Sequence, residues 1–188
     1  MKKVKINEIT AKSALNNVSG WLPYNWDLNI YRGCLHQCEY CFAQYTHKYL
    51  DSDDYFGHIY VKTNIAEVLE QTLKKKSWKH ERINVGGVCD SYQKPVESKY
   101  KLMRKVLKVL IKYRNSAMIS TKSALILRDF DLIEKLSYLT PVNIAATIIT
   151  LDEDIRKKIE PNSSPSFFSL NSSKLKNMSL ILPCFSGQ

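Results

Sequence analysis

Short apolar runs alternate with longer amphipathic stretches along most of the chain, and this alternation restricts the folds open to it. In the stretch 97–114, for example, Met103, Val106 and Leu110 recur at helical spacing, and lysines and arginines occupy seven of the eighteen positions. Such a pattern is typical of βα units around a parallel sheet, and it predicts an α/β fold. The predicted strands span residues 26–31, 82–88, 117–120 and 142–149, and the predicted helices span about 64–76, 97–114, 129–137 and 152–159.

The length of 188 residues fits one domain or part of a larger one. Hydrophobic residues make up 44% and charged residues 24%, so the chain can bury a core and global disorder is excluded. No run approaches the roughly 18 uncharged apolar residues of a membrane span, and the basic N-terminal residues lead into no apolar signal-peptide region. We therefore expect a cytoplasmic protein without a membrane partner.

The composition changes after Pro161. Residues 162–188 contain eight serines and no acidic residue, and apart from an apolar run at 178–182 they show no sustained helix or strand period. We therefore expect a core at 1–161 and an irregular tail at 162–188. A frameshift or premature stop near residues 163–169 would explain the change.

Three of the five cysteines, Cys34, Cys38 and Cys41, lie within eight residues. Without a secretion signal, this grouping indicates reduced thiols used for metal or redox chemistry. The spacing can ligate three irons of a [4Fe-4S] cluster and leave the fourth iron open to a substrate or cofactor.

Two other uses of these cysteines stay open at this point. A structural zinc could take a fourth ligand from His36, His47 or Cys89, although zinc sites more often show two separated pairs of ligands. A zinc-stabilised module of this kind would bind nucleic acid through the basic residues of the chain. The thiols could also serve packing alone.

Several motifs in a fixed order resemble one family. The cysteine spacing, with Tyr40 directly before Cys41, looks like the signature of radical S-adenosylmethionine (SAM) enzymes. From about Trp26 to Pro161, the chain resembles the spore photoproduct lyase-like members of that superfamily, often labelled DNA repair photolyases. The segments that carry the resemblance are NIYRGC at 29–34, CFA at 41–43, DSYQKPVE at 90–97, TKS at 121–123 and LRD at 127–129.

The resemblance implies a partial (βα) barrel that binds a [4Fe-4S] cluster and SAM. Relatives usually form about six βα units, so the four units predicted here imply an incomplete barrel. Cys34, Cys38 and Cys41 would ligate the cluster. For SAM, the resemblance places Tyr40 near the adenine, Asp90 and Ser91 near the methionyl amino group, Lys122 near the carboxylate and Thr150 near the ribose, with Glu160 at a further family position.

The strand pattern gives a separate reason to expect one site. Ligands of parallel α/β folds bind at the carboxyl ends of the strands, and polar residues follow each predicted strand there. The alternative is that Asp90 and Ser91 only form a turn, that Lys122 is solvated and that Tyr40 packs. Cys89 could donate a hydrogen atom to a substrate radical, or it could be a small buried residue.

The net charge of +10 suggests an anionic partner. Between Lys62 and Arg128 there are 16 Lys and Arg against 5 Asp and Glu. Residues 74–80 add Trp78 to a basic run, which could contact phosphates and stack a base. A solvated helix face explains the same run.

The resemblance therefore implies an enzyme that takes one electron from a flavodoxin- or ferredoxin-type reductant and cleaves SAM to a 5′-deoxyadenosyl radical. Its substrate would be a thymine photoproduct in DNA, which must be flipped out of the duplex, or an unknown molecule. The opposing hypothesis is an inactive remnant, since a shortened barrel leaves strand edges and the site open.

Overall fold

The computed structural model of the chain describes residues 4–18, 20, 22–50, 52, 54–146, 149–150 and 152–164, and the backbone of 179–181. The strands are β1 (Lys5–Ile9), β2 (Leu15–Asn17), β3 (Trp26–Leu28), β4 (Tyr31–Arg32), β5 (His58–Lys62), β6 (Ile83–Val85), β7 (Ala117–Ser120), β8 (Val142–Ala145) and β9 (Ser179–Ile181). The α-helices are α1 (Ile65–Leu73), α2 (Val96–Tyr100), α3 (Leu102–Tyr113), α4 (Phe130–Ser137) and α5 (Glu153–Ile159), and two 3-10 helices span Phe42–Tyr49 and Ala124–Asp129.

The main sheet contains six strands in the order β2, β3, β6, β7, β8, β9. Strand β2 is antiparallel to β3, and all other pairs in this sheet are parallel. Leu28 pairs with Val85, Val85 with Ile119, and Ile119 with Ile144. Because all four side chains are buried, aliphatic packing across the strands stabilises the sheet. The α/β fold expected from the sequence is confirmed.

Helices cover this sheet through their apolar faces. Helix α3 lies between α1 and α4 and contacts both. Its predicted apolar stripe is confirmed, since Met103, Val106 and Leu110 are fully buried. Among the described helices, none has both the length and the apolar character needed to cross a bilayer.

The predicted helix at 97–114 is in fact two helices. Lys101 separates α2 from α3 with φ of +51°, a left-handed conformation that is costly for a residue with a Cβ. The Glu97 carboxylate accepts hydrogen bonds from the backbone N–H groups of Leu102 (3.0 Å) and Met103 (3.2 Å). These contacts satisfy donors in the first turn of α3, so a side chain of α2 caps the next helix.

A second sheet has the order β1, β5, β4 and was not predicted from the sequence. Strand β5 pairs in parallel with β1 and antiparallel with β4. The predicted strand at 26–31 is therefore wrong in its second half, because the chain leaves the main sheet after Leu28. Asn29 stabilises this change of direction, since its carbonyl accepts from the buried Lys62 Nζ at 2.6 Å and its Oδ1 from Val88 N at 3.0 Å.

The segment after Pro161 also differs from the irregular tail expected from the sequence. Residues 179–181 form β9, which pairs in parallel with β8 and adds a strand to the main sheet. Ser163 is buried, and Ser164 donates a backbone hydrogen bond to the Lys122 carbonyl at 3.1 Å. Residues 165–178 and 182–188, which hold most of the expected tail, lie outside the described residues.

Candidate functional site

A cavity of about 370 Å³ opens at the carboxyl ends of three neighbouring parallel strands, β6, β7 and β8. Parallel α/β folds bind their ligands at this edge. The cavity is lined by Tyr24, Cys34, His36, Cys38, Tyr40, Cys41, Phe42, Ala43, Tyr55, Asn84, Gly86, Gly87, Val88, Cys89, Asp90, Ser120, Thr121, Lys122 and Ala145. The structure thus brings together seven of the residues selected from the sequence: Cys34, Cys38, Tyr40, Cys41, Cys89, Asp90 and Lys122.

The three clustered cysteines lie on the loop at residues 33–41, here called the cysteine loop, which follows β4. Gly33 begins the loop with φ of +81°, and a Cβ at this position would lie 2.5 Å from the His58 carbonyl oxygen. The loop can therefore leave β4 at this angle only through a glycine. Cys34 and Cys38 are buried, Cys41 is half-buried, and all three line the cavity.

Burial raises the pKa of the Cys34 thiol well above its ordinary value and that of Cys38 to about 11. Without a metal these two thiols are protonated at neutral pH. Metal ligation requires thiolates, so binding of an iron cluster would release these protons.

The described residues contain no group of three or more His, Cys, Asp or Glu side chains that could hold a single metal ion. A [4Fe-4S] cluster makes a different demand, because each thiolate binds a different iron. Three cysteines along one cavity wall, with no fourth cysteine ligand on the loop, fit that demand. The zinc alternative gains no support from the described residues.

Two side chains hold the cysteine loop from opposite sides at Leu35. The fully buried Gln93 accepts from Leu35 N at 2.9 Å and donates to the Gly33 carbonyl at 3.1 Å. On the other side, Asn162 Nδ2 donates to the Leu35 carbonyl at 2.9 Å. The backbone N–H of Glu39 also donates to the Ile159 carbonyl at 2.9 Å. The loop is therefore fixed by the protein's own hydrogen bonds.

His36 connects the cysteine loop to the end of β6. Its Nε2 donates to Asp90 Oδ2 at 2.9 Å, and its Nδ1 donates to the Asn162 carbonyl at 3.0 Å. Both ring nitrogens therefore face oxygen acceptors, an arrangement that favours the doubly protonated imidazolium. Burial opposes this charge, but the neighbouring Asp90 carboxylate outweighs it and raises the pKa of His36 above its ordinary value.

Asp90 is a centre of hydrogen bonding as well as a partner of His36. Its carboxylate also accepts from Tyr92 N at 2.8 Å, Thr121 Oγ1 at 2.8 Å and Lys122 N at 2.6 Å. Burial alone would raise the pKa of Asp90, but His36 and these donors hold it below its ordinary range. Four donors fill the roughly four lone-pair positions of a carboxylate. Contact with the methionyl amino group of SAM stays a prediction, and it would require one donor to move.

Lys122, Glu160 and Tyr40 form a second polar group at the cavity. Lys122 Nζ lies 2.7 Å from Glu160 Oε1 and 5.5 Å from the centroid of the Tyr40 ring. The Tyr40 hydroxyl donates to the same Glu160 oxygen. Glu160 is itself buried and does not line the cavity, so it orients the two side chains that do.

Cys89 lies behind the same cavity, and only 5% of its surface is exposed. Its thiol donates to the Tyr31 carbonyl at 3.1 Å. Burial raises the pKa of this thiol to about 12, so it retains its proton at neutral pH. The thiol is therefore a hydrogen-bearing group beside the cavity.

Ser91 and Thr150, like Glu160, are not among the described residues that line the cavity. Ser91 is fully buried, and its hydroxyl has no hydrogen-bond partner among the described residues. The Thr150 hydroxyl accepts from Asp152 N at 3.1 Å, in the turn before α5. At the end of β8 the residue that lines the cavity is Ala145 instead.

The basic run at 74–80 does not contribute to this site. It precedes β6, so it lies at the amino end of the parallel strands, opposite the cavity. Trp78 is partly buried, its ring centroid lies 5.7 Å from that of Trp26, and its Nε1 donates to Asn115 Oδ1 at 2.7 Å. The ring therefore packs against the fold, and the expectation that Trp78 could stack a nucleobase gains no support from these contacts.

Sequence reasoning missed three residues that shape the site: His36, Gln93 and Asn162. His36 was considered only as a zinc ligand, and its position between Cys34 and Cys38 gave no further signal. Gln93 belongs to a motif that was recognised, although its side chain had no assigned role. Asn162 lies in the expected tail, 126 residues from His36 along the chain, so no local sequence pattern predicts their contact.

Comparisons with known proteins agree with this geometry. The chain is 36% identical over 162 residues to an uncharacterized protein of Mycobacterium tuberculosis, covering 84% of this chain and 47% of the relative. It is 31% identical over 188 residues to an uncharacterized protein of Methanocaldococcus jannaschii, covering 96% and 68% respectively. The chain spans about half the length of the mycobacterial relatives it matches.

A solved structure of a spore photoproduct lyase variant superposes with a TM-score of 0.61 at 12% identity, covering 94% of this chain and 49% of that chain. This likeness confirms the predicted partial (βα) barrel of the radical SAM type. The protein-family model of the Radical SAM superfamily matches residues 28–175 of the chain. Because that match covers well over half of the chain and includes the cysteine loop, the chain belongs to the radical SAM superfamily.

Proposed function

We propose that the chain binds a [4Fe-4S] cluster through Cys34, Cys38 and Cys41 and binds SAM in the adjoining cavity. The observation that carries this proposal is that three loop thiols share one cavity with polar side chains from the ends of β6 and β7. Three thiolates would leave one iron without a protein ligand and open to SAM. When bound, the two cofactors supply reductive cleavage of SAM to methionine and a 5′-deoxyadenosyl radical, which abstracts hydrogen from a substrate.

The residues of the chain would bind and orient SAM. The Lys122 ammonium is suited to the SAM carboxylate, and the Tyr40 ring to the adenine face. Glu160 holds both side chains in place through the contacts described above. Ser91 and Thr150 are proposed for the amino group and the ribose on the resemblance alone.

Cys89 is proposed as a hydrogen-atom donor to a substrate radical. Its burial beside the cavity and its retained proton support this role. Transfer would form a C–H bond on the substrate and leave a thiyl radical on Cys89. The protein would reach that stage only after SAM cleavage, so Cys89 is not required for the cleavage itself.

The substrate and the electron donor are further proposals. A flavodoxin- or ferredoxin-type reductant would supply the electron. The structural neighbour is named a spore photoproduct lyase, which supports a photoproduct in DNA as one substrate; another substrate is equally compatible with the cavity. A cytoplasmic location stays an expectation from the sequence.

The test is a SAM-cleavage assay on anaerobically reconstituted protein with dithionite as reductant. We expect methionine and 5′-deoxyadenosine in equal amounts, and no 5′-deoxyadenosine from the Cys38→Ala variant. Wild-type protein loaded with zinc serves as the matched control and should also yield none. A wild-type protein that holds about four irons per chain yet leaves SAM intact would contradict the proposal.

A further inference from the structure

We infer that His36 and Asn162 are positioning residues, which hold the cysteine loop in register with the carboxyl ends of β6 and β7. Neither is a predicted ligand of the cluster or of SAM. The consequence drawn below for SAM affinity rests on the proposed function. The inference about the loop itself does not, because it concerns contacts within the protein.

The first part of the argument is the attachment of the loop to the segment after α5. Asn162 makes three hydrogen bonds to the loop. Its Nδ2 donates to the Leu35 carbonyl at 2.9 Å, and its backbone N–H donates to the His36 carbonyl at 3.3 Å. Its backbone carbonyl accepts from His36 Nδ1 at 3.0 Å. A backbone contact between Glu39 and Ile159 adds a fourth bond. Residues 159–162 therefore run along the loop and pair with it at both ends.

The second part is the continuation of this attachment into the strand ends. His36 Nε2 is bonded to Asp90, and both side chains are about 95% buried. Asp90 in turn accepts from Thr121 Oγ1 and from the N–H of Lys122. An unbroken series of hydrogen bonds thus runs from Asn162 through His36 and Asp90 to the backbone of Lys122.

This series joins the two halves of the cavity. The cysteines lie on one side, and Lys122, whose side chain faces Tyr40 and Glu160, lies on the other. Charge-assisted hydrogen bonds are stronger than neutral ones, and in a buried site they fix the distance between the segments they join. Loss of a residue that orients metal ligands typically costs about 10–100-fold in metal affinity or activity.

Amide hydrogen exchange of the metal-free protein tests the inference without any cofactor. We expect exchange at residues 33–41 and 159–164 to be at least about tenfold faster in His36→Phe and Asn162→Ala, with β6 and α3 unchanged. Asn162→Ala removes the Nδ2 bond to Leu35 and keeps the two backbone bonds of residue 162. Asn115→Ala is the control for loss of an asparagine side chain, since Asn115 makes three side-chain hydrogen bonds, to Trp78, Glu81 and Ser116, at the opposite edge of the sheet. This control should leave exchange in the cysteine loop as in the wild type.

Unchanged loop exchange in both His36→Phe and Asn162→Ala would overturn the inference. Faster exchange spread evenly over the whole chain would also overturn it, since His36 would then be a folding residue only. Asn162→Ala keeps the test valid if His36→Phe fails to fold, because Asn162 is exposed and its substitution leaves the core intact.

A second readout concerns the loaded protein. Both variants should bind the cluster, but the SAM concentration needed to change its electron paramagnetic resonance signal should rise about tenfold or more. An unchanged SAM requirement would contradict the inference. If the wild type binds no cluster, the proposed function fails, and the exchange experiment still decides the role of His36 and Asn162.

Discussion

The His36–Asp90 pair and the group formed by Glu97, Arg128 and Asp129 are both buried ionic networks, and they differ in their surroundings. His36 and Asp90 line the cavity beside the cysteines. None of the other three is among the described residues that line it. Arg128 Nη2 contacts Glu97 Oε1 at 2.5 Å and Asp129 Oδ2 at 2.6 Å, and this group joins α2 to the 3-10 helix at Ala124–Asp129.

The comparison shows that similar motifs in a sequence can serve different purposes. Segments containing Asp90, Glu97 and Arg128 all contributed to the family resemblance. In the structure, Glu97 caps α3 and pairs with Arg128, and both contacts stabilise the fold. Asp90 orders the strand ends around the cavity. We therefore expect changes in the network of Glu97, Arg128 and Asp129 to affect mainly stability, and changes around the cavity to affect mainly cofactor binding.

The largest effect is expected from Cys38→Ala. It removes one of the three proposed cluster ligands, so iron and sulfide per chain after anaerobic reconstitution should fall to near zero. Cys89→Ala is the matched control and should retain the iron content of the wild type. Equal loss in both variants would favour a metal site that includes Cys89, which is one of the three candidates for the fourth ligand of zinc.

Glu97→Ala should have the largest effect on stability. It removes the buried carboxylate that pairs with Arg128, accepts from the Tyr31 hydroxyl and caps α3, so the free energy of unfolding should fall by about 3–5 kcal/mol. Denaturant unfolding of the metal-free protein measures this loss. A free energy of unfolding equal to that of the wild type would contradict this stabilising role of Glu97.

Lys122→Met should separate the two kinds of effect. The Lys122 side chain is 19% exposed and that of Glu160 is 5% exposed, and Glu160 keeps the Tyr40 hydroxyl as a partner in the variant. The free energy of unfolding should therefore fall by about 1–3 kcal/mol. The SAM affinity of the reconstituted protein should fall about tenfold, because the ammonium proposed for the SAM carboxylate is lost. A large loss of stability with unchanged SAM affinity would show that Lys122 stabilises the fold and does not bind SAM.

The smallest effect is expected from replacing Lys74, Lys75 and Lys76 together by glutamine. These exposed residues lie at the amino end of the sheet, away from the cavity. The free energy of unfolding should change by less than about 0.5 kcal/mol for each substitution, and the SAM affinity should not change. A lower affinity for SAM in this variant would show that the site extends beyond the cavity described here.

The sequence predicted the main sheet well because its strands and helices have strong, local periodicity. Residues 117–120 and the stripe on α3 are examples, since burial of one face repeats at a fixed spacing. Short strands such as β2, with three residues, carry too few positions for such a pattern. The break at Lys101 depends on a carboxylate four residues earlier, and β9 depends on pairing with β8 across the chain.

The sequence indicated several residues that line the cavity, but it did not indicate the residues that hold the cysteine loop in place. The cysteines, Lys122 and Asp90 lie directly beside predicted strands, so topology alone brings them together. Gln93 and Asn162 act through contacts 58 and 127 residues apart along the chain, which no local pattern records. Thr150 also follows β8 in sequence, but its hydroxyl accepts a hydrogen bond in the turn before α5, and its role toward the ribose stays a prediction.

The most direct test of the account is electron paramagnetic resonance of the reduced, anaerobically reconstituted wild-type protein with and without SAM. The account predicts a [4Fe-4S] signal that changes when SAM is added, since one iron is open and the cavity binds the cofactor beside it. A cluster signal indifferent to saturating SAM would contradict the account. It would show that the cysteine loop binds iron while the cavity does not bind SAM.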